Sequence, residues 1–292
     1  MTFCTIRRQA RPWLQIIAGL ALLAPALSRA GTPADRDGGP KLSARAVLVL
    51  DVSSGKPLLG RNATDVRPIA SLTKLMAALV FIDRGLKLDQ GTEVNRDDWK
   101  VALEGCRTRL ELKWTYSNRD LLRAALMASD NRAVSALGRA VGLHTNSLVQ
   151  AMNERAGRMG LKKTEFRGPV GIDVGNVSSA WELARIVRAA SKVKVLSEVM
   201  GTKEHRIIPL RGYIKPWYRN TNPLVGTVPG VRFLASKTGY NNKAGYCLAT
   251  VVEINGRGQF TVVLLGSRRK LDRVQDLRRV LHWLQNSAHK SS

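Results

Sequence analysis

The sequence predicts a mixed α/β fold of the α+β type, in which one antiparallel sheet is flanked by helices. Strand-like apolar runs occur near the start of the chain, at residues 44–52 and 57–61, and strand patterns return after residue 206. Helical patterns fill most of the region between them. Because the first two strands are too few to bury a face of their own, they must pair with the later strands. The 292 residues are enough for one large domain or two closely joined ones.

The first hairpin is followed by an unusually apolar helix. A Ser-Ser-Gly turn joins the two predicted strands. Residues 68–82 are apolar on nearly every side, which predicts a helix that is buried all round and ends near Gly85. Its polar residues, Ser71, Thr73 and Lys74, all lie near its front end.

The middle of the chain is predicted to be helical. Ser117 and the Ser178-Ser179 pair each precede an acidic residue at the spacing of a helix cap. The predicted helices are residues 121–128, 132–141, 146–159, 178–190 and 193–200.

Strands and one further helix complete the chain. The predicted strands are residues 207–214, 232–237, 247–254 and 259–265, and the predicted helix is residues 271–284. That helix has a leucine-rich face, which we expect to pack on the sheet; the alternative is an anchor on a membrane surface.

This order predicts two lobes within one catalytic domain. Residues 31–85 and 202–292 would form the sheet-containing lobe, and residues 86–201 an inserted all-helical lobe. A site is expected in the cleft between them.

The N-terminus has the composition of a secretory signal. Three arginines precede an apolar run at residues 13–27, and small residues follow at the positions that a signal peptidase recognises, which predicts cleavage after Ala30. The alternative, a membrane anchor, requires a longer uninterrupted apolar stretch. We expect export by the general route.

The chain is strongly basic. Residues 1–30 contain four arginines and no acidic residue, so their removal would lower the formal charge from +25 to +21. Such a charge attracts polyanions, and for an exported protein we expect anionic envelope polymers. No nucleic-acid partner is expected, because the bases are scattered and no nucleic-acid-binding motif accompanies them.

Cysteines and histidines give no indication of a metal site. Cys4 lies in the predicted signal, while Cys106 and Cys247 could form a disulfide or remain independent core residues. The four histidines lack metal-ligand spacing, so we expect neither a metal nor a cofactor.

Ser71 and Lys74 form a candidate nucleophile and base. One helical turn separates them, so the amine and the hydroxyl face the same side. A desolvated lysine has a lowered pKa and can accept the serine proton, while the Ser71 N–H at the helix start favours an oxyanion. The spacing alone is weak, because Ser191 to Lys194 and Ser287 to Lys290 repeat it in polar surroundings.

Two further motifs make the pattern specific. Ser129-Asp130-Asn131 and Lys237-Thr238-Gly239 are the only Ser-x-Asn and Lys-Thr-Gly sequences of the chain, and they follow Ser71 in the order known from penicillin-binding proteins and β-lactamases. The segments that carry a closer resemblance are residues 68–76, 127–133, 176–180, 218–222 and 236–240. Together they resemble the type-7 low-molecular-mass members of the serine penicillin-recognising family, which are periplasmic D-alanyl-D-alanine endopeptidases with a β-lactamase/transpeptidase-like fold.

The resemblance implies a role for each motif. Ser71 would attack a D-Ala-D-X peptide bond of peptidoglycan, with Lys74 as base and Ser129 as proton relay. Asn131, Lys237 and Thr238 would bind the substrate, Gly239 would leave it room, and the N–H groups of Ser71 and Tyr240 would form the oxyanion hole. β-Lactams would be covalent inhibitors, and the loop at residues 168–172 could border the cleft.

Three alternatives remain open from the sequence. The first is a D-Ala-D-Ala carboxypeptidase. The second is a serine β-lactamase, although none of the glutamates has the asparagine four residues later that class A enzymes use. The third is a non-catalytic envelope protein that binds polyanions through its charge.

Overall fold

Strands from both ends of the chain form the central sheet. The computed structural model describes Met1, residues 39–102 and residues 108–286. The predicted signal peptide, apart from Met1, and Cys106 lie outside these residues. In chain order the strands are β1 (Ala46–Asp51), β2 (Pro57–Arg61), β3 (Arg67–Pro68), β4 (Gly91–Glu93), β5 (Thr115–Ser117), β6 (Val177–Ser178), β7 (Glu204–Arg206), β8 (Trp217–Arg219), β9 (Val231–Asn241), β10 (Gly245–Ile254) and β11 (Gly258–Ser267).

The first hairpin does pair with the late strands. The main sheet has the order β2-β1-β11-β10-β9, and its neighbouring strands are antiparallel. In β1, Leu48 and Leu50 face one apolar core, while Val47 and Val49 face the other. This two-residue period buries both faces of the sheet and explains why β1 is apolar throughout.

Helices cover the sheet and build the region beside it. They are α1 (Lys74–Asp83), α2 (Arg96–Ala102), α3 (Asn118–Met127), α4 (Asn131–Ala140), α5 (Thr145–Arg158), α6 (Ala180–Ser191), α7 (Lys194–Gly201) and α8 (Lys270–Asn286). α8 lies against β10 and β11, which confirms that it packs on the sheet, although Leu271 is exposed. α6 contacts β1, β10 and β11, and α7 contacts β9. The described residues from 39 onward belong to one compact unit, and the lobe boundaries stay a prediction.

Capping residues begin two of the predicted helices. Ser117 Oγ accepts a hydrogen bond from Asp120 N, and Ser179 Oγ accepts one from Glu182 N. These bonds satisfy backbone donors that have no partner within a helix.

Within the described residues, the helices are all too short or too polar to cross a bilayer.

Two parts of the fold differ from the sequence prediction. The strand predicted at residues 207–214 is wrong, because that segment is a loop between β7 and β8. Pro209 lacks an N–H for a strand ladder, and Gly212 has a φ of +138°, so the segment cannot continue as a regular strand. The short helix α2 and the small strands β3 to β8 were not predicted.

Candidate active site

The Ser71 hydroxyl and the Lys74 amine meet where two helical segments join. Ser71 belongs to a 3-10 helix (Ala70–Thr73), and Lys74 is the first residue of α1. Lys74 Nζ is 3.1 Å from Ser71 Oγ and 2.8 Å from the carbonyl oxygen of Val170. Only 9% of Ser71 and 1% of Lys74 are exposed. The amine therefore contacts the hydroxyl in a site with little access for bulk water.

A backbone reversal places Ser71 at the start of its helix. Ala70 has a φ of +47°, a conformation that costs a non-glycine residue free energy and is held only by its surroundings. Ile69 N donates a hydrogen bond to the carbonyl oxygen of Asn176, and Thr73 Oγ1 donates one to the Ala70 carbonyl oxygen. These contacts on both sides of Ala70 stabilise the reversal.

A loop at residues 168–172 lies directly against this helix start. A Cβ atom added to Gly171 would be 2.1 Å from the Ala70 carbonyl oxygen and 2.7 Å from Ser71 N. Gly171 also has a φ of +89°, which favours glycine. Any residue other than glycine at position 171 would therefore prevent the loop from approaching the Ser71 backbone this closely. The loop also borders the site, as the sequence suggested.

Asn176 connects the loop to the Ser71 helix. Its Nδ2 donates to Thr73 Oγ1 at 2.9 Å and to the Gly168 carbonyl oxygen at 2.8 Å, while its Oδ1 accepts from the backbone N–H groups of Arg167 and Gly168. Asn176 is fully buried, so each of these bonds replaces water that the folded protein excludes.

A second serine and lysine pair comes from distant segments. Lys237 Nζ lies 2.9 Å from Ser129 Oγ and 2.8 Å from the Thr238 carbonyl oxygen. Both residues are buried, and Ser129 has a φ of +67° between α3 and α4. The Ser-x-Asn turn and strand β9 are therefore in direct contact.

Asp130 fixes the turn that carries Ser129. Its carboxylate accepts hydrogen bonds from the N–H groups of Arg132 and Ala133 at the start of α4. The Tyr218 hydroxyl donates to the same carboxylate at 2.9 Å. Burial, with the Asp130 charge nearby, raises the pKa of Tyr218 well above its usual range, so Tyr218 keeps its proton and remains a donor.

Asn131 offers an unused acceptor. It is the first residue of α4 and is 2% exposed, and its Oδ1 is buried without a hydrogen-bond partner. An unsatisfied buried amide oxygen is costly and therefore uncommon. A ligand N–H in the site would satisfy it.

Strand β9 forms one side of the site. Thr238 Oγ1 donates to Thr221 Oγ1 at 2.7 Å. A Cβ atom added to Gly239 would be 2.8 Å from the Ile69 carbonyl oxygen and 3.1 Å from Ser71 N. Gly239 is thus required by the close approach of the Ser71 helix, a reason that the sequence did not provide. The Tyr240 ring is half exposed and stacks on Tyr246 with a centroid distance of 4.2 Å.

Several residues of the site had been given no role. The segments that contain Asn176, Tyr218 and Thr221 were noted for their resemblance, but nothing in the sequence showed what these side chains contact. Val170 acts through its backbone carbonyl, which every residue has, so no sequence signal could have identified it.

Comparisons with known proteins find similar sequences over most of the chain. Residues 33–268 match the model of peptidase family S11, described as D-alanyl-D-alanine carboxypeptidase. A D-alanyl-D-alanine endopeptidase of Pseudomonas aeruginosa is 33% identical over 94% of this chain and 86% of its own length. One from Escherichia coli is 29% identical over 93% of this chain and 86% of its own.

Solved structures show the same architecture. The DD-transpeptidase of a Streptomyces strain superposes with a TM-score of 0.76 and 25% identity, covering 84% of this chain and 98% of its own. The predicted β-lactamase/transpeptidase-like fold, an antiparallel sheet flanked by helices, is thereby confirmed. The sequence match, the shared fold and the three assembled motifs lead to one conclusion: the chain belongs to the D-alanyl-D-alanine carboxypeptidase family of serine peptidases, peptidase family S11.

Proposed function

We propose that this protein is a serine DD-peptidase that cleaves D-Ala-D-X bonds of peptidoglycan, acting as an endopeptidase on the cross-links. The contact of 3.1 Å between the buried Lys74 amine and the Ser71 hydroxyl carries the proposal. The names of the P. aeruginosa and E. coli relatives support the endopeptidase activity.

In the first step Ser71 forms an acyl-enzyme. The Lys74 amine contacts the Ser71 hydroxyl and takes its proton as Oγ bonds to the substrate carbonyl carbon. The N–H groups of Ser71 and Tyr240 stabilise the oxyanion, at about 3 kcal/mol for each donor. The C–N bond then breaks, and Ser129 relays a proton to the leaving amine.

The remaining motif residues position the substrate. Asn131 hydrogen-bonds the substrate backbone, and its unpaired Oδ1 supports this role. Lys237 supplies positive charge beside Ser129, and Thr238 supplies a hydroxyl. Water then attacks the acyl carbon, the bond from that carbon to Ser71 Oγ breaks, and a proton from the water passes to Ser71 Oγ, so the reaction needs no cofactor.

The proposed setting is the bacterial periplasm. It follows from the predicted signal cleaved after Ala30 and from a substrate that lies in the cell wall. β-Lactams would acylate Ser71, and acidic envelope polymers would be attracted by the positive charge of the protein.

Labelling with a fluorescent penicillin tests the nucleophile. We expect the purified protein to be labelled, Ser71→Ala to be unlabelled, and Ser191→Ala to be labelled like the wild type. Ser191 belongs to another Ser-x-x-Lys sequence, but its hydroxyl donates to the Arg188 carbonyl oxygen within α6. An unlabelled wild type, or a labelled Ser71→Ala protein, would contradict the proposal.

Product analysis separates the two peptidase activities. The family description favours a D-Ala-D-Ala carboxypeptidase as the second candidate. Cross-linked muropeptide dimers and pentapeptide monomers are incubated separately with the enzyme, and the products are followed by mass. We expect the dimers to be split faster. Release of D-Ala from monomers alone would establish the carboxypeptidase, and rapid turnover of a chromogenic cephalosporin would indicate a β-lactamase.

A further inference from the structure

The 207–217 loop, defined as the residues between β7 and β8 together with Trp217 at the start of β8, exposes an unusual number of large apolar side chains. Of the eleven large hydrophobic side chains that are exposed in the described part of the chain, five lie in this loop. They are Ile208 (58% exposed), Leu210 (61%), Tyr213 (81%), Ile214 (46%) and Trp217 (44%). Concentrations of this kind on a protein surface mark interaction sites.

The loop is held in a defined shape. Ile207, Pro209, Pro216 and Tyr218 are buried, so the exposed residues are carried on a base that is packed into the protein. Ile207 N donates to the Pro216 carbonyl oxygen at 2.9 Å and closes the loop.

The neighbouring segment at residues 114–115 supports the tip of the loop. Leu210 N donates to the Thr115 carbonyl oxygen at 2.8 Å, and the rings of Trp114 and Tyr213 are 4.9 Å apart. The loop is therefore supported at both Leu210 and Tyr213 by the segment at residues 114–115.

Basic residues surround these apolar side chains. Residues 203–219 contain five bases, Lys203, Arg206, Arg211, Lys215 and Arg219, and one acid, Glu204. The acid is already engaged, because its carboxylate accepts from Arg219 Nε and from Trp217 Nε1, both at 3.3 Å. The surface therefore has a net positive charge.

We propose that the 207–217 loop binds an anionic lipid surface. Exposed isoleucine and leucine fit acyl chains better than they fit a glycan, whose surface consists mostly of hydroxyl and amide groups. Tyrosine and tryptophan favour the boundary between acyl chains and headgroups, and arginine and lysine attract anionic headgroups. The aliphatic, aromatic and basic residues of the loop thus each match one part of an anionic lipid interface.

Binding at this loop would also orient the active site. β8 leads within two residues to Thr221, whose hydroxyl accepts from Thr238. A membrane contact at the loop would therefore keep the cleft close to the membrane surface. This inference goes beyond the proposed peptidase activity and does not depend on it.

Co-sedimentation with lipid vesicles tests the proposal. The purified protein is mixed with vesicles of phosphatidylglycerol and phosphatidylethanolamine, or of phosphatidylcholine alone. We expect binding to the anionic vesicles, and at least an approximately tenfold weaker partition for the triple variant Ile208→Ser, Leu210→Ser and Ile214→Ser. Arg211→Gln and Lys215→Gln should each weaken it about fivefold.

Matched variants elsewhere on the surface provide the controls. Leu271→Ser removes a leucine that is 59% exposed on α8, and Lys192→Gln with Lys194→Gln removes two exposed charges at the start of α7. Both controls should partition like the wild type, and labelling by penicillin should be unchanged in every variant.

Three results would overturn the proposal. The first is that the wild type does not bind anionic vesicles, and the second is that loop variants and control variants partition equally. The third is that loop variants bind vesicles normally but no longer bind isolated peptidoglycan. The last result would identify a glycan surface instead.

Discussion

Asn176 shows how one buried side chain can organise a reactive pair that it does not contact. It joins the Gly168 end of the loop to Thr73, and the same loop places the Val170 carbonyl oxygen 2.8 Å from the Lys74 amine. The position of the amine next to Ser71 therefore depends on a residue more than a hundred positions later in the sequence.

Replacing Asn176 should affect both stability and acylation. Asn176→Ala leaves buried donors and acceptors without partners, which should lower the free energy of unfolding by about 3 kcal/mol. The freed loop should also slow acylation by penicillin, measured below the unfolding temperature, by at least about tenfold.

Asn153 provides the control for this prediction. It bonds the backbone N–H and carbonyl of Phe166 in the same manner, but neither of these bonds reaches the Ser71 helix. Asn153→Ala should lower stability by about 1–2 kcal/mol and leave the acylation rate unchanged. Equal acylation rates in the two variants would show that Asn176 is merely structural.

At the scale of elements, the close packing of the 168–172 loop on the 3-10 helix sets the backbone of the site. Gly171→Ala would force a Cβ atom into the Ala70 carbonyl oxygen and displace Ser71 N. We expect acylation to fall by about a hundredfold, as for other misplacements of reacting groups. The measurement is the second-order rate of penicillin labelling.

Gly55→Ala is the matched substitution. Gly55 also has a positive φ, +68°, but a Cβ atom there meets nothing within 4 Å. It should cost about 1 kcal/mol of stability through strain alone, with normal labelling. If Gly171→Ala also labels normally, the proposed contact with Ser71 does not control the nucleophile.

The elements themselves were predictable where local signals are strong. The helix caps at Ser117 and Ser179 and the apolar run of β1 each depend on a few neighbouring residues. The strand predicted at 207–214 was wrong because Pro209, Gly212 and the packing on Thr115 favour a loop. The 3-10 start of the central helix depends on tertiary contacts around Ala70 and has no local signal.

The site was predictable to a similar extent. The contact between Ser71 and Lys74 follows from helical spacing, because residues three positions apart are neighbours on one face of a helix. Ser129 and Lys237 are 108 positions apart, so only the order of motifs indicated that they meet. The contacts of Val170, Asn176 and Tyr218 depend on the folded path of the chain, which spacing does not encode.

At the scale of the whole molecule, the positive formal charge, +25 for the full chain and +21 after the predicted cleavage, should affect access to a polymeric substrate. Raising the salt concentration from about 0.1 M to about 1 M shortens the screening length from roughly 10 Å to roughly 3 Å. We expect this change to slow cleavage of isolated peptidoglycan and to leave cleavage of soluble muropeptide dimers largely unchanged. Equal salt dependence for both substrates would contradict a role for long-range attraction.

The pairing of β1 with β11 also determines when the protein can fold. Its partner β11 arrives more than two hundred residues later, and nearby Ser43 bonds Asp276 across a separation of 233 residues. Contact order is therefore high, and the entropy of closing so long a loop opposes early assembly. An exported chain would have to be translocated nearly to its end before the sheet could close. Until then the chain would be incompletely folded and open to cleavage by proteases.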